Sequence, residues 1–231
     1  MNRMNLAPDD YASVGLQERS QFFRELELNA PDDLDITDLI ELYVEIEASL
    51  ASDVGVVVQF IGATRGSGSE QIALDMAWAG SSLLGKKTLV LNCTRSFRQA
   101  IGVSADNANS MRPLSLDTDM AKVTGHEMYL ADVRCWRTET GGLVPLGNIR
   151  RHLEDLRTYF DMVVLAAPPA DSDPFGVVMA RHVDSNVMIL EAEKTRWAAA
   201  IRLREILSRS GGPILGAVLN DRRTYVPHWL S

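Results

Sequence analysis

An apolar, β-branched run from Val54 to Ile61 leads directly into a glycine- and serine-rich stretch, Gly62-Ala-Thr-Arg-Gly-Ser-Gly-Ser-Glu70. Apolar residues at helical spacing follow from Ile72 to Leu84, and a second short apolar run covers Thr88 to Leu91. Strand, tight loop, helix and strand in that order make a βαβ unit. Its two strands must be parallel, because the helix returns the chain to the edge from which the first strand set out. Similar apolar runs at Met162 to Ala167, Val187 to Leu190 and Ile214 to Leu219 alternate with helical segments at Ile149 to Phe160 and Arg196 to Arg209. Strands this continuously apolar are buried on both faces. The expected fold class is therefore α/β, a mostly parallel sheet with helices on both faces.

Ahead of the first strand, Leu39, Tyr43, Ile46 and Leu50 fall at helical spacing, with Asp38 and Glu41 near the start, where carboxylates complement the helix dipole. Residues 1–35 read as a loose N-terminal extension whose only periodic part, Leu16 to Leu28, suggests a short amphipathic helix. Residues 36–231 form the domain. The polar stretch from Ser104 to Val144 suggests irregular structure.

The chain has 231 residues, of which 46% are hydrophobic and 23% charged, enough apolar content to bury one large core without disulfides. Its net charge of −8 argues against a general nucleic-acid or anionic-lipid surface, so no nucleic-acid partner is expected. Cys93 and Cys135 lack CxxC spacing and read as thiols. His126, His152, His182 and His228 have no ligand spacing, so no metal site is expected. Trp78, Trp136, Trp197 and Trp229 have no spacing of a stacking platform and default to packing. With no apolar leader and no eighteen-residue apolar run, a cytoplasmic location is expected.

The loop after the first strand sits where backbone N–H groups and a helix dipole form an anion site. A phosphate loop adds a lysine for the terminal phosphates and a Ser/Thr hydroxyl for Mg²⁺, and here Ser69 and Glu70 occupy those two places. A carboxylate in the first helical turn repels incoming phosphate and can itself fill the anion position. Gly62, Arg65, Gly66, Ser67, Gly68, Ser69 and Glu70 are the candidate nucleotide-loop residues, read as vestigial. The alternative is that the glycines serve only a tight strand-to-helix turn.

Later segments extend the pattern. Leu89-Val-Leu-Asn-Cys-Thr-Arg95 ends the second strand, and Phe160-Asp-Met-Val-Val-Leu-Ala-Ala-Pro-Pro169 contains a third. Ala180-Arg-His-Val-Asp184, Glu193-Lys-Thr-Arg196 and Leu215-Gly-Ala-Val-Leu-Asn220 follow in order. From about Ile36 to Leu230 this ordered set resembles the bacterial tyrosine-kinase branch (polysaccharide biosynthesis autokinases, CpsD/CapB-like) of the MinD/ParA-like P-loop proteins. The resemblance implies a P-loop NTPase-like domain with degenerate Walker motifs. It places Asn92, Thr94 and Ala166 where the family carries acids that serve the metal, and Asn220 at a position that contacts adenine in relatives. An Asn closing a strand at a turn is the alternative reading of Asn220. Val44 and Glu47 stand where the family's ring-assembly arginines would be, and the stretch from Asn220 to Ser231 holds Tyr225 alone instead of a tyrosine cluster.

Phosphoryl transfer is positioning plus charge stabilisation by lysine and Mg²⁺, so these five replacements remove most of its machinery. No catalytic residue is assigned and no cofactor is expected, with weak ATP or ADP binding through the loop backbone left open. The resemblance implies a non-catalytic regulatory or scaffolding component of bacterial exopolysaccharide biosynthesis and export. Its implied partner is a membrane polysaccharide copolymerase (chain-length determinant protein), met at the cytoplasmic face of the inner membrane, with a homo-oligomer as a further option. The alternatives are a divergent active tyrosine autokinase or ATPase that recruits Glu70 with Asp171 or Asp173, and a ParA/MinD-like positioning protein.

Overall fold

The computed structural model describes residues 24–26, 36–93, 120–133 and 145–220. In chain order these form β1 (Arg24–Leu26), α1 (Ile36–Leu50), β2 (Val56–Gly62), α2 (Ser69–Leu84), β3 (Thr88–Asn92), β4 (Ala121–Val123) and β5 (Met128–Asp132). Then come α3 (Leu146–Leu156), β6 (Met162–Ala167), α4 (Phe175–Met179), a 3₁₀ turn at Ala180–His182, β7 (Ser185–Glu191), α5 (Trp197–Arg209) and β8 (Ile214–Asn220).

The strands make one eight-stranded sheet in the order β1-β4-β5-β3-β6-β2-β7-β8. All neighbours are parallel except β4 and β5. Every residue of β2, β3 and β6 is buried, which explains why their sequences are apolar without alternation. Alternate residues still face opposite layers. Val56, Val58 and Phe60 join the core under α1 and α2, whereas Val57 packs in the second core with α3 and α4. A third cluster joins Ile61, Ala167 and Met188 to Leu203 and Leu207 of α5.

α1 buries Leu39, Tyr43 and Ile46, three of the residues whose spacing marks it as a helix. It approaches α2 closely at Gly80, where a Cβ would lie 2.3 Å from the Tyr43 ring. α2 ends on Gly85 at φ +66°, a left-handed cap that glycine adopts without a Cβ penalty.

Two sequence expectations are corrected. Arg24–Leu26, within the stretch read as a short helix, is instead an edge strand parallel to β4. Ladder hydrogen bonds to a neighbouring strand override local periodicity there. The stretch read as irregular contains β4 and β5, joined through a tight connection with Gly125 at φ +79°.

Candidate functional site at the carboxyl ends of the strands

The loop from Gly62 to Ser69 lies at the carboxyl ends of the central parallel strands, where α/β sheets place their ligand sites. It is wound back on the end of β2. A Cβ on Gly62 would meet Ser67 Oγ at 1.8 Å, and the Ser67 N–H donates to the Thr64 carbonyl at 3.3 Å. Gly66 and Gly68 have φ of +83° and +79°, the left-handed region that favours glycine. Gly68, which has no side chain to cap with, is the N-cap of α2. The turn geometry is thus that of an anion-binding nest at a helix N-terminus.

The side chains in this frame do something else. Ser69, at the lysine position, is buried and donates its hydroxyl to the Ala167 carbonyl at 3.4 Å, tying the loop to the end of β6. Ser67 is also buried, and its Oγ has no hydrogen-bond partner among the described residues. Glu70 occupies the first turn of α2, and Arg65 is exposed. Asn220, at the end of β8, donates its side-chain N–H to the Ser67 carbonyl at 3.1 Å. The same nitrogen would lie 2.2 Å from a Cβ on Gly68. The structure therefore brings Gly62, Ser67, Gly68, Ser69 and Asn220 into one cluster, with Asn220 holding the loop.

The sequence reading missed Glu191, the residue that closes β7. Its side chain is buried, one carboxylate oxygen lies 3.8 Å from where a Gly66 Cβ would be, and Lys194 forms an ion pair with it. A tight loop creates that pair. The Glu191 N–H donates to Thr195 Oγ1 at 2.8 Å, the Thr195 N–H returns to the Glu191 carbonyl at 2.8 Å, and Glu193 takes a left-handed φ of +63°. A charged residue ending an otherwise apolar strand was the available signal. The Glu191 carboxylate thus stands beside Gly66, already paired with the ammonium of Lys194, while Glu70 adds a second acid in the first turn of α2.

The positions matched to family acids lie on neighbouring strands. Ala166 is fully buried in β6 and pairs in register with Phe60 of β2 and Asn92 of β3. Asn92 is buried. Thr94 and Tyr225 lie outside the described residues. After the paired prolines, the Ala170 N–H donates to the Gly62 carbonyl at 3.1 Å. Asp173 accepts the Phe175 N–H at 2.8 Å at the start of α4, a capping role, while Asp171 is exposed. Among the described residues, no group of three His, Cys, Asp or Glu side chains is placed to hold a metal. His126 instead meets Ser82 Oγ at 2.9 Å through Nδ1 and packs beside Trp78. No described helix is long and apolar enough to cross a membrane.

No protein-family model matches the chain. In sequence it is 33% identical over 66 residues to a Staphylococcus aureus protein that bears the name tyrosine-protein kinase CapB. That match spans 29% of this chain and 29% of the relative. In structure it is similar to the kinase domain of the Escherichia coli tyrosine kinase ETK, with TM-score 0.64 and 14% identity, over 96% of this chain and 97% of that one. The cell-division protein MinD of Aquifex aeolicus is similar too, with TM-score 0.55 and 14% identity, over 73% of this chain and 70% of that one. The fold is that of a P-loop NTPase-like α/β domain, similar in structure both to bacterial tyrosine-kinase domains and to MinD, with a short stretch of sequence similar to a protein named as a tyrosine kinase.

Proposed function

We propose that this protein is a non-catalytic, regulatory or scaffolding component of bacterial exopolysaccharide biosynthesis and export. The observation that carries the reading is the hydrogen bond from Ser69 Oγ to the Ala167 carbonyl, at the place where a phosphate loop presents its lysine. A short neutral hydroxyl turned inward onto β6 supplies no charge to a phosphate. The absence of a carboxylate at buried Ala166 supports the same reading, since Mg²⁺ requires oxygen ligands near the phosphates. Asp173, which could have replaced that acid, is engaged in capping α4.

On this reading the Gly62–Ser69 loop, Arg65, Glu70 and Asn220 form a vestigial nucleotide site whose backbone shape outlasts its chemistry. The domain works in the cytoplasm through contacts, with a membrane polysaccharide copolymerase as its partner. Calorimetric titration of the purified chain with ATP and with ADP, with and without Mg²⁺, tests it. The expected result is no Mg²⁺-dependent gain in affinity and no phosphotyrosine after incubation with ATP. Tight Mg²⁺-dependent binding accompanied by self-phosphorylation would sink the proposal.

A further inference from the structure

Beside the loop lies a groove of about 480 Å³ between two strand-end connections and the first turns of α5. It is lined by Ala63 and Thr64 after β2, by Asp171 after β6, by Arg196 just ahead of α5, and by Ala198, Ala199 and Arg202 of α5. Neither arginine makes an ion pair among the described residues, although the chain as a whole carries a net charge of −8. Trp197, next to Ala198 in sequence, is 77% exposed. Two guanidiniums against one carboxylate, around small apolar side chains, suit a segment with adjacent acids and a flanking side chain of apolar surface.

The topology indicates where such a segment comes from. β5 runs parallel to β3, β4 runs opposite to β5, and β1 runs parallel to β4. Arg24, the first residue of β1, therefore lies at the end of the sheet that carries the loop and the groove. The stretch ahead of β1 contains Asp9-Asp10-Tyr11. Crossing from β1 to β8 covers about 34 Å at a strand spacing of about 4.8 Å. The residues between Asp10 and Arg24 reach about 48 Å when extended. The other end segment, residues 221–231, carries Arg222, Arg223 and His228, which two arginines repel.

We propose that the groove is the docking site of the chain's own N-terminal arm, with Asp9 and Asp10 against Arg196 and Arg202 and Tyr11 over Ala198 and Ala199. This holds whether or not the loop binds nucleotide. A docked arm passes over the carboxyl ends of the strands and so shares that surface with the Gly62–Ser69 loop.

The test uses the full chain carrying Asp9→Asn and Asp10→Asn, with a fluorescein-labelled peptide of residues Asn5 to Gly15 as probe. Fluorescence anisotropy is expected to report saturable binding that weakens about ten-fold or more when Arg196→Ala and Arg202→Ala are added. The unsubstituted chain, its own arm in place, should bind the peptide more weakly than the Asp9→Asn, Asp10→Asn chain. Binding should also fall as ionic strength rises. Equal affinity with and without the two arginines would overturn the proposal. So would equal affinity for a peptide with Asn at both acids, or for a scrambled peptide that keeps the acid pair. Both arginines are exposed, and matched thermal melts of the variants confirm that they fold.

Discussion

Asn220 reaches the Ser67 carbonyl from a strand end 153 residues away in sequence, and its amide nitrogen stands where a side chain on Gly68 would have to be. One contact thus joins the edge strand β8 to a loop whose conformation depends on a left-handed glycine. Asn220→Ala should cost about 0.5–1.5 kcal/mol, the net worth of such a bond. Gly68→Ala should cost about 1–2 kcal/mol from φ alone and also displace the amide. Combined, the two changes should cost less than their sum, because each breaks the same contact. A urea-denaturation double-mutant cycle reads this directly, and strict additivity would mean that the contact does not hold the loop.

The packing of α1 on α2 makes opposite predictions for its two partners. A methyl group at Gly80 would press into the Tyr43 ring, so Gly80→Ala should destabilise by about 1–3 kcal/mol as overpacking does. Tyr43 is fully buried and its hydroxyl has no hydrogen-bond partner among the described residues. Burial pushes its pKa up, helped by the charges of Glu47 and Asp161. Tyr43→Phe removes an unpaired polar group while keeping the ring, and should be neutral or stabilising by up to about 1 kcal/mol. Thermal melts of the two single variants separate these outcomes.

These contacts also mark the limits of what the sequence discloses. Leu39, Tyr43 and Ile46 announce α1 because one helical face must be apolar, and continuous burial makes β2, β3 and β6 legible as apolar runs. β4 is three residues long and β5 reads Met-Tyr-Leu-Ala-Asp, too short and too weakly β-branched to stand out from their polar surroundings. β1 exists only through its pairing with β4, which no local pattern encodes. At the site, the glycines and the missing lysine are readable from spacing. The inward turn of Ser69, the approach of Glu191 to Gly66 and the reach of Asn220 are not, because each depends on which strand ends the sheet places side by side.

Asp75 is a buried carboxyl on α2 with one oxygen accepting from Gln71 Nε2 at 2.8 Å and the other without a partner among the described residues. Desolvation raises its pKa to about 6, against an opposing, smaller effect of the Gln71 hydrogen bond. Between about pH 4 and pH 6 the folded state therefore holds a proton that the unfolded chain has released, so this group's contribution falls as pH rises through that window. At about 1.4 kcal/mol per unit of pKa difference, the effect approaches about 3 kcal/mol by pH 7. Asp75→Asn should flatten that part of the stability profile. Urea midpoints from pH 4 to pH 8, taken for both proteins, check this; parallel profiles would be the contrary result.

Reinstating the lost charges tests how far the fold has moved from phosphate chemistry. Ala166 has no exposed surface and sits in register between Phe60 and Asn92, so Ala166→Asp alone buries a carboxylate and should cost about 2–4 kcal/mol or raise that carboxyl's pKa. Ser69→Lys with Glu70→Ser supplies the ammonium and the hydroxyl, yet leaves no acid for the metal and leaves Glu191 beside Gly66. That pair of changes should bring weak ATP binding that does not respond to Mg²⁺. Only the triple variant joins all three groups, and there ATP with Mg²⁺ should recover part of the stability lost at Ala166, because a ligand that binds only the folded state stabilises it. Thermal shifts with ATP, with Mg²⁺ and with both distinguish the variants. An equal shift in the chain with Ala166→Asp as its only change would show that Ser69 and Glu70 are not what bars the nucleotide.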